Sequence, residues 1–172
     1  VQDPIDTLMA EHRIIEKVLD ALELAAERKM PVSFYERALD FCVAFADKCH
    51  HGKEEERLFP VLETHGIPRE MGPIGVMCDE HVLGRGHIAR MREQLRLGRR
   101  DALCKESLAY VALLRDHIRK EDEVLFQMAR QVMPRDEVQR LAGAFQAADG
   151  GADPRAAFGP VAEALLAEAR TA

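Results

Sequence analysis

The sequence predicts an all-α fold, an up-down-up-down antiparallel four-helix bundle with a C-terminal helical extension. Three observations predict it. Apolar residues recur at alternating three- and four-residue spacings in four long stretches, which is the seam of a bundle helix. Proline and glycine punctuation divides the chain into those stretches and a tail. No segment alternates with period two between hairpin turns, so strands are not expected. A chain of 172 residues, 47% of them hydrophobic, is long enough to bury one good core. The bundle is expected over residues 1–133 and the extension over 134–172.

Helix one is predicted from about Ile5 to Lys29, ending before Pro31. Its seam reads Ile5, Leu8, His12, Ile15, Leu19, Leu22, Ala26. Ser33 can cap helix two, which reaches to about Thr64 with a kink at Pro60; its seam is Leu39, Val43, Ala46, His50, Glu54, Leu58. The stretch His65 to Gly72 reads as a loop, and Pro73 suits the first turn of helix three. That helix ends near Leu97-Gly98 and carries Ile74, Met77, His81, Gly84, Ile88, Met91, Leu95 in its seam. Asp101 can cap helix four, which continues to about Val132 with Leu103, Ser107, Tyr110, Leu114, His117, Glu121, Val124, Met128. After Pro134 a short helix is expected over Asp136 to Ala148. A last amphipathic helix, from Pro154 or Pro160 to Ala169, either packs on the bundle or forms a homodimer contact.

A ten-residue pattern occurs twice, once from His50 to Phe59 and again from His117 to Phe126. Both copies read H-x-x-K-E-[ED]-E-x-L-F. A histidine and a carboxylate four apart on a helix point the same way, so each copy offers both groups to one point in space. Height along the bundle tests the convergence independently. His12 and His50 lie equally far on either side of Pro31, and His81 and His117 equally far on either side of Arg99, so each pair is level in an antiparallel bundle. Two carboxylates buried without partners would be prohibitive, and cations offset that cost. His12, His50, Glu54, His81, His117 and Glu121 are therefore the predicted ligands of a two-metal site. Mixed imidazole and carboxylate donors favour iron, with manganese or zinc less suited. Four nitrogens, two bridging carboxylates and a bridging oxo or hydroxo group leave one position per metal open to a small molecule.

At these residues the chain resembles the hemerythrin-like, or HHE cation-binding, family, whose signature is a histidine on helices one and three and H-x-x-x-E on helices two and four. The resemblance covers about residues 5 to 130. It implies that the six residues are the ligands of a di-iron centre, with Glu54 and Glu121 bridging. Met71 to Met77 with Glu80-His81, and K-E-E-x-x-L-F-P at Lys53 to Pro60, are closest to a bacterial branch that includes di-iron proteins repairing iron–sulfur centres. The oxygen-carrying members have a second helix-three histidine, where this chain has Met77 or Arg85. The resemblance thus implies a non-haem di-iron protein that binds or reacts with O2, NO or peroxide in sensing, scavenging or detoxification. An enzyme of iron–sulfur cluster repair or of NO or peroxide reduction, and a metal-stabilised interaction module, are the alternatives.

Other features narrow the reading. A net charge of −6 offers no basic footprint for nucleic acid or an anionic membrane. No apolar run approaches a membrane span, and Val1-Gln2-Asp3-Pro4 lacks the regions of a signal peptide, so the cytoplasm is the expected location. Cys42, Cys49, Cys78 and Cys104 form no C-x-x-C pair and are expected as reduced thiols, Cys49 beside His50 being the one with a possible redox role. His51 and Glu55 repeat the i, i+4 spacing but fall about 100° off the seam; they read as boundary residues facing a neighbouring helix or water and as the runner-up register for the helix-two ligand pair. Glu16, one turn from His12, is a candidate additional ligand or an acceptor for an imidazole N–H, and His87 is the other candidate. Apart from Glu54, the run Lys53 to Arg57 reads as mainly a solvated face.

Overall fold

A computed structural model describes residues 2–172, and every regular element among them is helical. Helix α1 is Pro4–Arg28; α2 is one continuous helix over residues 32–64; α3 is Pro73–Arg96; α4 is continuous over residues 100–132; α5 is Arg135–Ala148 and α6 is Pro154–Thr171. Helices α1 to α4 form the bundle, α1 and α3 each packing between α2 and α4.

The ends of α1 follow its local chemistry. Asp3 accepts hydrogen bonds from the backbone N–H groups of Ile5 (2.8 Å) and Asp6 (3.3 Å), and Pro4 occupies the first turn. Lys29 ends the helix in the left-handed region at φ 53°. Two expected caps are corrected. Helix α2 starts at Val32 with Pro31 in the capping position, so Ser33 lies inside it; α4 starts at Arg100 after Arg99, so Asp101 sits in the first turn, where its charge complements the helix dipole. The loop before α3 folds tightly back on itself. A Cβ on Gly72 would stand 2.2 Å from the Pro68 carbonyl oxygen, and one on Gly75 2.4 Å from that of Arg69.

Three stretches are π-helical: Cys42–His51 and Glu54–Leu58 in α2, and Glu121–Leu125 in α4. The Phe59 N–H donates to the Glu54 carbonyl, and the Phe126 N–H to that of Glu121. Pro60 follows the first of these turns, but α4 widens at the same place with Gln127 there, so proline is not the cause.

The apolar core lies in two bodies. One holds Ile15, Leu19, Leu22, Phe34, Phe45, Met91, Tyr110 and Leu114 among others; the second holds Ile5, Leu8, Leu58, Phe59, Ile74, Leu125 and Phe126. The predicted ligands fall between them on all four helices. The extension packs on the bundle. Ala162, Leu165, Leu166 and Ala169 of α6 belong to the first apolar body, and Phe158 meets Phe45 at 5.0 Å between ring centroids. Arg28 donates to the carbonyls of Ala169 and Arg170 at 2.8 and 2.7 Å. Among the described residues no helix is long and apolar enough to cross a membrane.

Candidate metal centre

His12, His50, Glu54, His81, His117 and Glu121 are all buried and meet between the two apolar bodies. The side-chain donor atoms form two groups. His12, His50, Glu54 and Glu121 make one, while His51, Glu54, His81 and His117 make the other; within each group the donor atoms lie within 4.8 Å of one another. Glu54 belongs to both, with Oε1 3.4 Å from His50 Nε2 and Oε2 3.4 Å from His81 Nε2. Glu121 Oε2 stands 3.2 Å from His12 Nε2 and 3.3 Å from His117 Nε2. The Nε2 atoms of His81 and His117 are 3.1 Å apart. Adjacent donors around a six-coordinate cation at about 2.1 Å stand about 3 Å apart, so these spacings suit metal ligation.

Four of the imidazoles are oriented by carboxylates. The Nδ1 of His12 donates to Asp122 (2.7 Å), that of His50 to Glu11 (2.9 Å), that of His81 to Glu55 (2.7 Å) and that of His117 to Glu80 (2.9 Å). An ionised carboxylate only accepts, so the proton sits on Nδ1 and Nε2 is aimed inward. Each orienting carboxylate is the chain neighbour of a donor on another helix: Glu11 precedes His12, Glu80 precedes His81, Glu55 follows Glu54 and Asp122 follows Glu121. Cations hold these carboxylates in turn. Lys53 binds Glu11, Lys120 binds Glu80, Arg13 binds Asp122, and Arg85 binds Glu55 at 2.7 Å. The repeated K-E-[ED] therefore supplies on each helix a lysine for one carboxylate, a donor for the centre and a carboxylate for a second histidine.

The inner atoms have no such partners. His12 Nε2, His50 Nε2, His51 Nδ1 and both carboxylate oxygens of Glu54 and of Glu121 are buried without a hydrogen bond. Left so, each would cost about 1–3 kcal/mol or more. Their convergence fits bound cations. With protons in place of metal, burial opposes charge on His12, yet Asp122 and Glu121 outweigh it and push its pKa up to about 10. His81 is pushed up to about 9, burial again opposing and Glu54 and Glu55 prevailing. Burial, with His81 nearby, holds His51 well below the ordinary histidine range.

A sequence-family model described as the hemerythrin HHE cation-binding domain matches residues 3–129. The chain belongs to this family. An uncharacterised protein of Mycobacterium bovis and two of Mycobacterium tuberculosis are each 26% identical to it over 153 residues, which is 82% of this chain and 59% of theirs. The HHE chain therefore spans less than two thirds of the length of these curated relatives. No solved structure matches it.

In this HHE domain the largest departure from the sequence reading is His51. It faces the neighbouring helix α3, stacking on His81 with ring centroids 3.8 Å apart, but it is buried there and not at the boundary. The reason is the π-helical run Cys42–His51. A π-helix advances each residue less around its axis than an α-helix does, so His50 and His51 can share an inward face. The second copy of the repeat has Ile118 at this place, in the apolar core. Lys53 is buried too, not solvated, and Glu55 orients His81. The signal for these orienting groups was the duplicated motif itself. Glu16 pairs with Arg13 (3.1 Å) at the surface, and His87 donates to Glu106 (2.8 Å); neither joins the donor groups. Cys49 is a free thiol whose pKa burial pushes up to about 11, which disfavours the reactive thiolate.

Proposed function

We propose that the chain is a non-haem di-iron protein that binds or reacts with O2, NO or peroxide, and that His12, His50, His51, Glu54, His81, His117 and Glu121 would hold the irons, Glu54 standing in both donor groups. The observation that carries the reading is the set of buried, hydrogen-bond-free oxygens of Glu54 and Glu121 facing imidazole nitrogens whose opposite ring atoms are already held. Two irons bound there would supply redox electrons and Lewis acidity to a small molecule. The chain's own contribution is to present lone pairs in fixed directions, to exclude water and to divide the imidazoles unequally. The His51, His81, His117 side has three and the His12, His50 side two, so the latter is the side at which an exogenous ligand is proposed to enter.

The test is protein produced in iron-replete cells, analysed for metal and then followed anaerobically by optical and Mössbauer spectroscopy as O2, NO or peroxide is added. About two irons per chain and a spectral response to at least one of these are expected. One tightly held zinc per chain, or two irons indifferent to all three molecules, would contradict the proposal.

A further inference from the structure

The two copies of the repeat are not equally sealed. Lys53 binds Glu11, which accepts from His50; Lys120 binds Glu80, which accepts from His117. Beyond the lysines the two arms differ. Lys120, 29% exposed, reaches Asp116 on its own helix at 3.1 Å, and Asp116 is 52% exposed. Lys53 is 1% exposed, and its outer partner comes from the extension: Asp149 Oδ1 at 3.0 Å. The Phe145 ring lies 5.9 Å from the same ammonium, and Cys49 Sγ 3.5 Å from it. Asp149 follows the last residue of α5, and Gly150 and Gly151, at φ 65° and 82°, turn the chain towards α6.

Charges in water are screened, while charges largely withdrawn from it act on one another more strongly. Asp116 is therefore a weak lever on His117, and Asp149 a strong one on His50. With Asp149 present, the Lys53 ammonium is shared between two carboxylates, and Glu11 keeps electron density for the His50 N–H. Without it, Lys53 draws on Glu11 alone and His50 becomes a poorer donor.

We infer that Asp149 is a positioning residue for the metal centre: through Lys53 and Glu11 it sets the orientation and donor strength of His50, so the C-terminal extension tunes one metal position and not the other. This rests on the dinuclear reading above. The experiment compares full-length iron-loaded wild type with Asp149→Asn, Asp149→Glu and Asp116→Asn, measuring iron release to a colorimetric ferrous chelator and, separately, the reduction potential. Asp149→Asn is expected to release one of two irons about 10-fold faster and to shift the potential positive, because a negative charge only 13% exposed is gone. Asp149→Glu restores both properties, and Asp116→Asn matches wild type. Asp149→Ala serves the same purpose if the amide variant does not fold, as judged by circular dichroism. Unchanged release and potential in Asp149→Asn would overturn the inference. Faster release of both irons with lower thermal stability and an unmoved potential would also overturn it, by showing a merely structural role. A wild type that takes up fewer than two metals defeats the dinuclear reading itself, whereas a two-metal wild type with a silent Asp149→Asn defeats this inference alone.

Discussion

His50 and His51 are chain neighbours, yet an α-helix would aim them about 100° apart and only one could serve the seam. In the structure both are buried and contribute to different donor groups. Replacing either should therefore cost metal: His50→Ala and His51→Ala are each expected to fall from about two metals per chain to about one after dialysis, measured by elemental analysis. A His51→Ala protein that keeps both would return His51 to the boundary role its α-helical position suggests. The raised values of His12 and His81 give a second prediction, for metal-free protein. A raised pKa contributes stability that is fully present below the unfolded histidine value of about 6.5, and it is lost as pH rises through the folded values of about 9 and about 10. The melting temperature of chelator-treated wild type should thus drop between pH 7 and pH 10 more steeply than that of His12→Gln. Parallel curves would show that His12 holds no proton in the empty centre.

At the scale of elements, seam spacing located all four bundle helices, but the caps and the π turns escaped it. Caps failed because Ser33 and Asp101 have good capping side chains one or two places inside helices whose starts are fixed instead by Pro31 and by the turn at Gly98. The π turns failed because the six ligand positions are compatible with α-helical spacing; the widening shows where His51 turns inward and where the seam of α4 slips by one residue, so that the expected seam residue Val124 is exposed and Leu125 is buried in its place. The tight start of α3 offers a test of loop packing. Gly72→Ala places a Cβ against Pro68 backbone, which cannot move as a flexible side chain does, and should destabilise by about 1–3 kcal/mol in urea unfolding. A neutral result would mean that residues 65–72 repack freely.

For the whole molecule, a polar layer between two apolar bodies divides what would otherwise be one core. Such a layer is costly when empty and favourable when filled. Ligands that bind only the folded state stabilise by about 4 kcal/mol at a thousandfold excess over Kd. Iron-loaded protein should accordingly melt well above the metal-free form, and coincident melting curves by calorimetry would remove any structural contribution from the metals. The extension joins this balance from outside, since α6 completes the first apolar body and the α5–α6 turn closes the Lys53 site.

The sequence by itself determined the helix count, the seams except in α4 beyond Glu121, and the convergence of six residues, because helical periodicity and equal distances from the turns fix angle and height before any packing is known. Of the four orienting carboxylates, Glu55 and Asp122 stand within the duplicated motif but read as outward by helical angle, and Glu11 and Glu80 stand outside it. Only the tertiary structure decided where His51, Lys53 and Asp149 stand. Their positions depend on local helix widening and on a tail folding back across the bundle, and neither leaves a periodic signature: the first changes the angle per residue, and the second joins residues a hundred positions apart.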